Sequence, residues 1–551
     1  MNEPSRAFDA AIRLHRAGRL REAIAAYAAI LAQPCDEAGV RCLLGTARVQ
    51  AGEAAEGMTE LRHALALDPN RTDALNSLGN ALLALGQTGE ALASYDRALA
   101  LRPDYADAQY NRANCLGRLG RHDEALLAYD RVLTQVPGHS DAAVNRGLAL
   151  HALGRLQESV ASYDRALAID NADALAHFNR ANSLKALGRL DEAVAAYDRA
   201  VALLPRFAVA HNNRGNALHA LGRYEEALAS FDRAIEIDPA NNDTPWNKSL
   251  VLLLLARYAE GWPLYERRLA KPGAARPECA GKPAWRGEPW IRGERLLVHA
   301  EQGYGDVLQA CRYLPQVRSL GAEIVLEVPA PLAKIVTTLR CPMTVVTRGG
   351  TLPAFDAWCP IMSLPGIFAV PQQPDPAQIP YLHANAERVR DWRDRLGPAR
   401  GLRIGLAWSG SSRHADDAAR SIPLARLRSL FRLSGIEWHA LQNDLRLSDR
   451  SALADFPQIR LHDAALADFA DTAALIECMD RVISVDTSVA HLAGALGKPL
   501  SILLAHVPDF RWLLERRDTP WYPGARLYRQ PALGDWESVI GELERDLVAR
   551  G

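Results

Sequence analysis

The sequence contains no C-x-x-C, D-x-D, H-E-x-x-H, G-x-S-x-G or G-x-x-x-x-G-K-[ST]. These absences argue against a zinc ribbon, a dithiol redox site, the metal motif of one large class of sugar transferases, a zincin, a nucleophile-elbow hydrolase and a Walker loop. Eight scattered cysteines, the closest pair being Cys35 and Cys42, fit a reducing compartment. There is no basic excess: 64 Lys and Arg stand against 65 acidic residues, for a net charge of −1. Sequence-independent nucleic-acid binding needs such an excess to displace counterions, so no nucleic-acid partner is expected. The longest aliphatic run, residues 250–256, is far below the ~20 residues that cross a bilayer. The N-terminal stretch is charged and periodic, without a secretory apolar core. A soluble, cytoplasmic chain without membrane insertion is expected. What is present is globular in kind, 48% hydrophobic and 23% charged, and 551 residues is too long for one core.

Glycines recur at 18, 52, 86, 120, 154, 188 and 222, and glutamates at 22, 56, 90, 124, 158, 192 and 226, both in steps of 34. That period is the tetratricopeptide one. In one unit, Leu75, Leu78, Leu82 and Leu85 form the apolar stripe of a first helix, Gly86 to Gly89 the turn, and Ala91, Tyr95 and Ala98 the face of a second. X-Pro pairs such as Asp68-Pro69 and Asp238-Pro239 close most units. An eighth, worn copy has Ala256 in place of the turn glycine. The array covers residues 1–270: seven regular units and one degenerate one. Asn111, Asn145, Asn179, Asn213 and Asn247 also step by 34, as do Asn80 with Asn114 and Asn182 with Asn216. Helical phase turns them away from the leucine stripe, toward an inner groove. Two readings stand: a carboxamide ladder that grips an acceptor peptide's backbone, or hydrogen bonds between stacked helices. The recurring Tyr-Asp-Arg of the second helices reads as structural pairing.

A Pro/Gly/Trp-rich stretch, 271–295, reads as a linker or wrapping arm. Strands then alternate with helices: strands at 296–300 and 323–328, with a helix at 307–320 kinked at Pro315 between them. After a proline-studded crossing (359–381) come strands at 403–407, 438–441, 482–485 and 500–504, with helices at 424–433, 472–478 and 489–496. The expected fold class is an all-α repeat superhelix followed by two Rossmann-like, doubly wound α/β lobes, 296–385 and 386–551, with ligands at the strand ends. Three loops at such ends carry candidate chemistry. In Glu301-Gln302-Gly303-Tyr304-Gly305-Asp306, Gly303 and Gly305 permit close approach to the backbone, and Asp306 starts a helix, where it is either a functional carboxylate or an ordinary N-cap. Leu308 stands where a dinucleotide fingerprint has its third glycine, so this is no NAD site. Ser409, Gly410 and Ser411, in a loop running on through Ser412, Arg413 and His414, suit a phosphate that Arg420 neutralises, or are simply a solvated loop. Asp486-Thr487-Ser488, opening a helix that holds His491, makes an anion seat, unless His491 is merely packed. Gln442 either lines the nucleotide pocket or is structural.

In this order the loops resemble two-lobed GT-B glycosyltransferases, closest to the heptosyltransferase-like family. Gly303 to Asp306 matches that family's first loop. Asp486, Thr487, His491, Leu492, Ala493, Ala495, Leu496, Gly497, Lys498 and Pro499 match its D-T-x-x-x-H-L-A-x-A-L-G-K-P element. Ser488 and Val489 depart from it, standing where a glycine and a hydrophobe or proline are common. The resemblance implies Asp306 as general base. It implies Gly303, Gly305, Ser409, Gly410, Ser411, Arg420, Gln442, Asp486, Thr487, Ser488 and His491 around the nucleotide-sugar, and neither metal nor cofactor. Repeats fused to such a domain resemble O-linked N-acetylglucosamine transferases and bacterial transferases that glycosylate flagellin. A polypeptide partner is therefore implied, flagellin or another cell-surface protein. The alternative is a non-catalytic repeat scaffold carrying a degenerate transferase-like domain.

Overall fold

The structure is a computed structural model that describes residues 3–271, 276–368, 379–411 and 417–550. Compactness divides the chain between Ala217 and Leu218, inside the helix Ala208–Ala220.

Antiparallel helix pairs follow one another from Glu3–Arg16 with Leu20–Leu31 to Asp243–Leu254 with Tyr258–Tyr265. All seven periodic glycines adopt φ between 71° and 87°, the left-handed turn that an L side chain resists, and Ala256 takes the same turn at 57°. Leu75, Leu82, Ala91, Tyr95 and Ala98 are buried as the stripe requires. Leu85 is exposed instead, because the helix stops at Ala84. The periodic glutamates have a local reason: Glu124, Glu158 and Glu192 each bind, through both oxygens, the arginine three residues earlier. These pairs are half exposed and contribute little. Each Asp of Tyr-Asp-Arg pairs with an arginine of the next unit, as in Asp130 with Arg146 at 2.6 Å and Asp164 with Arg180 at 2.6 Å.

The second unit holds two wholly parallel sheets. Strands β1 (Arg295–His299), β2 (Glu323–Val328), β3 (Met343–Thr347) and β4 (Ala357–Pro360) lie in the order β3-β2-β1-β4. Strands β5 (Leu402–Ala407), β6 (Ile436–Ala440), β7 (Ile459–Arg460), β8 (Arg481–Val485), β9 (Leu500–Leu504) and β10 (Ala525–Arg529) lie in the order β10-β9-β8-β5-β6-β7. In both, winding reverses beside the first strand, which opens a crevice at the carboxyl ends of β1 and β4 and of β5 and β8. The second sheet runs outward from β5 to β7 and then from β8 to β10, the dinucleotide-fold order. The crossing begins inside the fold, with β4 and the helix Leu364–Phe368. Pro371, Pro374 and Pro376 lie outside the described residues.

Several expectations change. The helix expected at 307–320 is three pieces: a helix Tyr304–Ala310, a 3-10 turn Cys311–Tyr313 and a helix Leu314–Ser319. Pro315 falls in the first turn of the third piece, where its missing N–H has no cost. The segment expected as a helix at 424–433 is a 3-10 run, Leu424–Arg432. The stretch after the repeats does wrap: Trp285 donates its backbone N–H to Trp358 O at 2.8 Å, and Trp358 Nε1 donates to Lys282 O at 3.0 Å. One apolar cluster runs from Leu253, Trp262 and Tyr265 through the first sheet to Leu492, Leu496 and Trp512. The last repeat helix therefore shares a core with the lobes.

Candidate active site

Asp306 is not an N-cap. Gly303 takes that place, and Asp306 is the third residue of the helix, with Oδ2 accepting the Gly303 N–H at 2.8 Å. Its Oδ1 pairs with Arg511 from the loop after β9. Arg511 also donates to Gln309 Oε1 at 2.7 Å and to Asp509 Oδ1 at 2.8 Å. Burial works against the guanidinium's charge, but Asp509, Asp306, Tyr265 and Asp486 outweigh it and hold Arg511 protonated. A buried cation thus stands between the strand-end loops of β1 and β9.

Gly305 rests on the helix Ser488–Ala495. A Cβ at 305 would lie 2.7 Å from His491 Cδ2 and 3.5 Å from Ser488 Cα. The His491 ring cannot retreat, since Nδ1 meets Tyr522 Oη at 2.9 Å and its face stacks on Trp512 with centroids 5.2 Å apart. Gly305→Ala should therefore cost about 1–3 kcal/mol, the range for overpacking, read as a lower melting temperature of the full chain. Unchanged melting would show that the two loops separate easily.

Burial, then Arg511, Arg312 and Arg420, hold His491 neutral, well below the ordinary histidine range. Its Nε2 lies 3.9 Å from Asp486 Oδ1. Burial and then Asp509 push Asp486 up to about 6, against the pull of Trp512, Arg420 and Arg511. Thr487 is the N-cap of the helix, and its hydroxyl faces Ser484 Oγ at 3.1 Å rather than capping. Ser488 opens the first turn, where backbone N–H groups point outward.

Beside β8, the loop after β5 is tied down. Gln442 Oε1 accepts the N–H groups of Trp408 and Ser409 at 2.9 and 3.3 Å, and its Nε2 donates to Ser409 Oγ at 3.0 Å. Gln442 and Ser409 are buried in this clamp. Gly410 donates to Ser421 Oγ at 3.0 Å, and its bare Cα lets Arg420 lie against it, where a Cβ would be 3.0 Å from the guanidinium. Arg420 Nε is buried without a hydrogen-bond partner. Ser411 is exposed, while Ser412, Arg413 and His414 lie outside the described residues. The structure thus brings Asp306, Gly303, Gly305, Asp486, Thr487, Ser488 and His491 together at facing strand ends.

The asparagines bond between helices. Asn111 Nδ2 donates to Asn76 Oδ1, Asn145 Nδ2 to Asn114 Oδ1 and Asn213 Nδ2 to Asn182 Oδ1, all at 3.0 Å. Tyr95, Tyr129 and Tyr197 donate to Asn80, Asn114 and Asn182. Asn179 and Asn247 hold the equivalent sequence positions.

Sequence reasoning missed Arg511, Trp512, Tyr522 and Arg312. The last donates to Tyr381 Oη and Trp521 O, both at 3.0 Å. The available signal was Asp509-Phe510-Arg511-Trp512, polar and aromatic together, shortly after a strand. Leu513 follows at φ 52°, a left-handed conformation strained for leucine. Among the described residues no cluster of three or more His, Cys, Asp or Glu is arranged to hold a metal, and no helix is long and apolar enough to cross a membrane.

Two facing crevices, with a helix N-terminus, buried arginines and a carboxylate between them, belong to a doubly wound α/β domain. Comparison with known families sharpens the class. Residues 76–140, 116–174 and 178–242 match the tetratricopeptide repeat, and residues 464–512 match glycosyltransferase family 9 (heptosyltransferase). The second match spans β8, the His491 helix, β9 and Arg511. Protein FlbA of Caulobacter vibrioides is 27% identical over 321 residues, 52% of each chain, so the chain spans about half the length of the curated relative it matches. Among solved structures, the repeat protein YrrB, titled as having an unusual peptide-binding site, is 25% identical over 34% of this chain and 98% of its own, with a TM-score of 0.31. A repeat protein from Parabacteroides merdae is 20% identical over 43% and 93%, with a TM-score of 0.36. The chain joins a tetratricopeptide-repeat array to a glycosyltransferase-like α/β domain.

Proposed function

We propose that this protein is a GT-B glycosyltransferase that moves a sugar from a nucleotide-sugar to a polypeptide held by the repeats. The observation that carries the reading is that Asp306 pairs with Arg511 while its neighbour Gly305 packs on the His491 helix, both partners lying in the segment 464–512 that matches a glycosyltransferase family. The acceptor hydroxyl oxygen attacks the anomeric carbon, the bond from that carbon to the diphosphate breaks, and the nucleoside diphosphate leaves with the electron pair. The hydroxyl proton passes to Asp306. Charge developing on the diphosphate is met by the amides at Ser488 and Val489, the helix dipole, Arg420 and Arg511, without a metal or cofactor. Neutral His491 meets Tyr522 Oη through Nδ1, and in the tautomer that carries its proton on Nε2 it offers that proton to the nucleotide-sugar. Flagellin is the first acceptor to try, by resemblance alone.

The test is a thermal-shift panel of UDP-, ADP-, GDP-, TDP- and CMP-sugars. A donor at about 100 times its Kd should stabilise the protein by about 2.7 kcal/mol, and His491→Ala and Asp486→Ala should each remove most of that shift. A donor shift that survives both substitutions removes this seat from consideration.

A further inference from the structure

Two residues of the eighth repeat, Tyr265 and Arg268, reach the loops of the candidate active site. Tyr265 continues the series Tyr95, Tyr129, Tyr163, Tyr197 and Phe231. In three earlier units that hydroxyl donates to an asparagine fifteen residues back, Asn80, Asn114 or Asn182, whereas Tyr163 has Leu148 there. The corresponding residue here is Leu250, so the internal acceptor is gone. Tyr265 Oη instead meets the carboxamide of Gln302, at 2.8 Å from Nε2 and 3.1 Å from Oε1. Three residues on, the buried small residue of other units (Ala98, Val132, Ala166, Ala200, Ala234) becomes Arg268. Arg268 is itself buried and donates to Glu301 Oε1 at 3.0 Å and Ser363 Oγ at 2.9 Å. Glu301 Oε1 also accepts the Met362 N–H at 3.3 Å. Glu301 and Gln302 begin the loop that carries Asp306, while Met362 and Ser363 follow β4, across the first lobe's crevice. Trp262 and Tyr265 meet Phe510 edge-on, with centroids 5.8 and 6.0 Å apart, and Phe510 precedes the arginine that pairs with Asp306.

We infer that the eighth repeat is a positioning element of the active site: Tyr265 and Arg268 set the two strand-end loops of the first lobe, and through them Asp306. The inference rests on the reading of Asp306 given above. An aligned base is sensitive to displacement, and a misplacement of about 1 Å lowers a rate about 100-fold. A helix that only fills space would not need a buried guanidinium in place of alanine, because a buried charge is retained at a cost in desolvation.

Tyr265→Phe, Gln302→Leu and their double variant test this in the full chain, with Asp306→Asn alongside. Tyr265→Phe removes one oxygen and keeps the ring, so the core survives. Each single variant should lower kcat by about 10- to 100-fold with the donor KM within about twofold of the parent's. The double variant should be no worse than the poorer single one, because both remove one bond. Amide exchange in residues 302–306 should rise in parallel. Parent-like kcat in Tyr265→Phe, or a loss confined to KM, overturns the inference. If Asp306→Asn keeps its rate while Tyr265→Phe loses it, the base is misassigned and the positioning of the loops stands. If Asp306→Asn is inactive and Tyr265→Phe is not, the positioning role fails alone. Should the parent transfer no sugar to any acceptor tried, exchange decides: unchanged protection of 302–306 in Tyr265→Phe overturns the inference, and faster exchange supports it.

Discussion

Asp306→Asn should lower sugar transfer by about 100- to 10,000-fold, the contribution of a general base, with donor binding retained. Asparagine still offers an oxygen to the Gly303 N–H, so the first turn of the helix Tyr304–Ala310 keeps its closure. It cannot take a proton from the attacking hydroxyl. The ion pair with Arg511 is also lost, but the guanidinium keeps Asp509 and Gln309, so it is not left buried without a partner. The melting temperature should therefore fall modestly, well short of the 3–5 kcal/mol that stranding a buried charge costs. Initial rates with a radiolabelled donor, compared at a temperature where parent and variant are both folded, supply the measurement. Equal rates would leave Asp306 as a partner of Arg511 and of the Gly303 amide, and would send the search for the base elsewhere. A parent inactive across donors and acceptors would favour a scaffold.

Much of this was legible because it is local. The 34-residue period follows from turns that need φ > 0, and the seven glycines adopt it. Strands β2 and β9 run where their apolar stretches predicted, Glu323–Val328 and Leu500–Leu504. Gly497, at φ 73°, follows the C-cap Leu496 of its helix in the left-handed turn that glycine favours there. Edges and interruptions were harder. Strand β7 is two residues long and β3 only half-buried, so neither has a clear apolar signal. Asp306 was misplaced by three residues, since Gly303 carries no side chain to announce an N-cap.

The site's centre was illegible for a different reason. Arg511 meets Asp306 across 205 residues of chain and Gln309 across 202, and no spacing rule spans such a distance. Gln442 could be read either way until its carboxamide proved to be spent on the Trp408–Ser409 backbone and the Ser409 hydroxyl. The worn look of the eighth repeat misled similarly. Arg268, where other units have a small apolar residue, acquires a reason only once Glu301 is seen beside it.

Lowering the pH from 7 to 5 should strongly destabilise the second unit, and a neutral buried histidine pair supplies a large share of the loss. His439 Nδ1 lies 3.0 Å from His462 Nε2 and their rings stack 5.3 Å apart, with His439 fully buried. Glu437 approaches His439 at 3.7 Å, but it is itself shared with Arg403 and Arg460, while Arg395 and Asp463 bear on His462 and the Trp392 ring lies edge-on to it. Burial first, then the neighbouring ring and arginines for His439 and the arginines for His462, push both down to about 4. Burial and then Arg276 push His299 to about 3. A histidine whose folded pKa is depressed binds fewer protons folded than unfolded. Its contribution is intact above about 6.5 and is lost as pH falls toward the folded value, amounting to about 2 kcal/mol per histidine by pH 5. Asp486, raised to about 6, acts in the opposite sense and returns about 1 kcal/mol over the same interval. All eleven tryptophans lie at or beyond Trp246, so tryptophan fluorescence reports on this unit and not on the first. Melting followed by that signal should show a much lower midpoint at pH 5 than at pH 7. His439→Leu, which removes one titrating ring of the pair, should shrink the difference by about the share of one histidine, while a pH response identical to the parent's would mean that the pair does not titrate on unfolding.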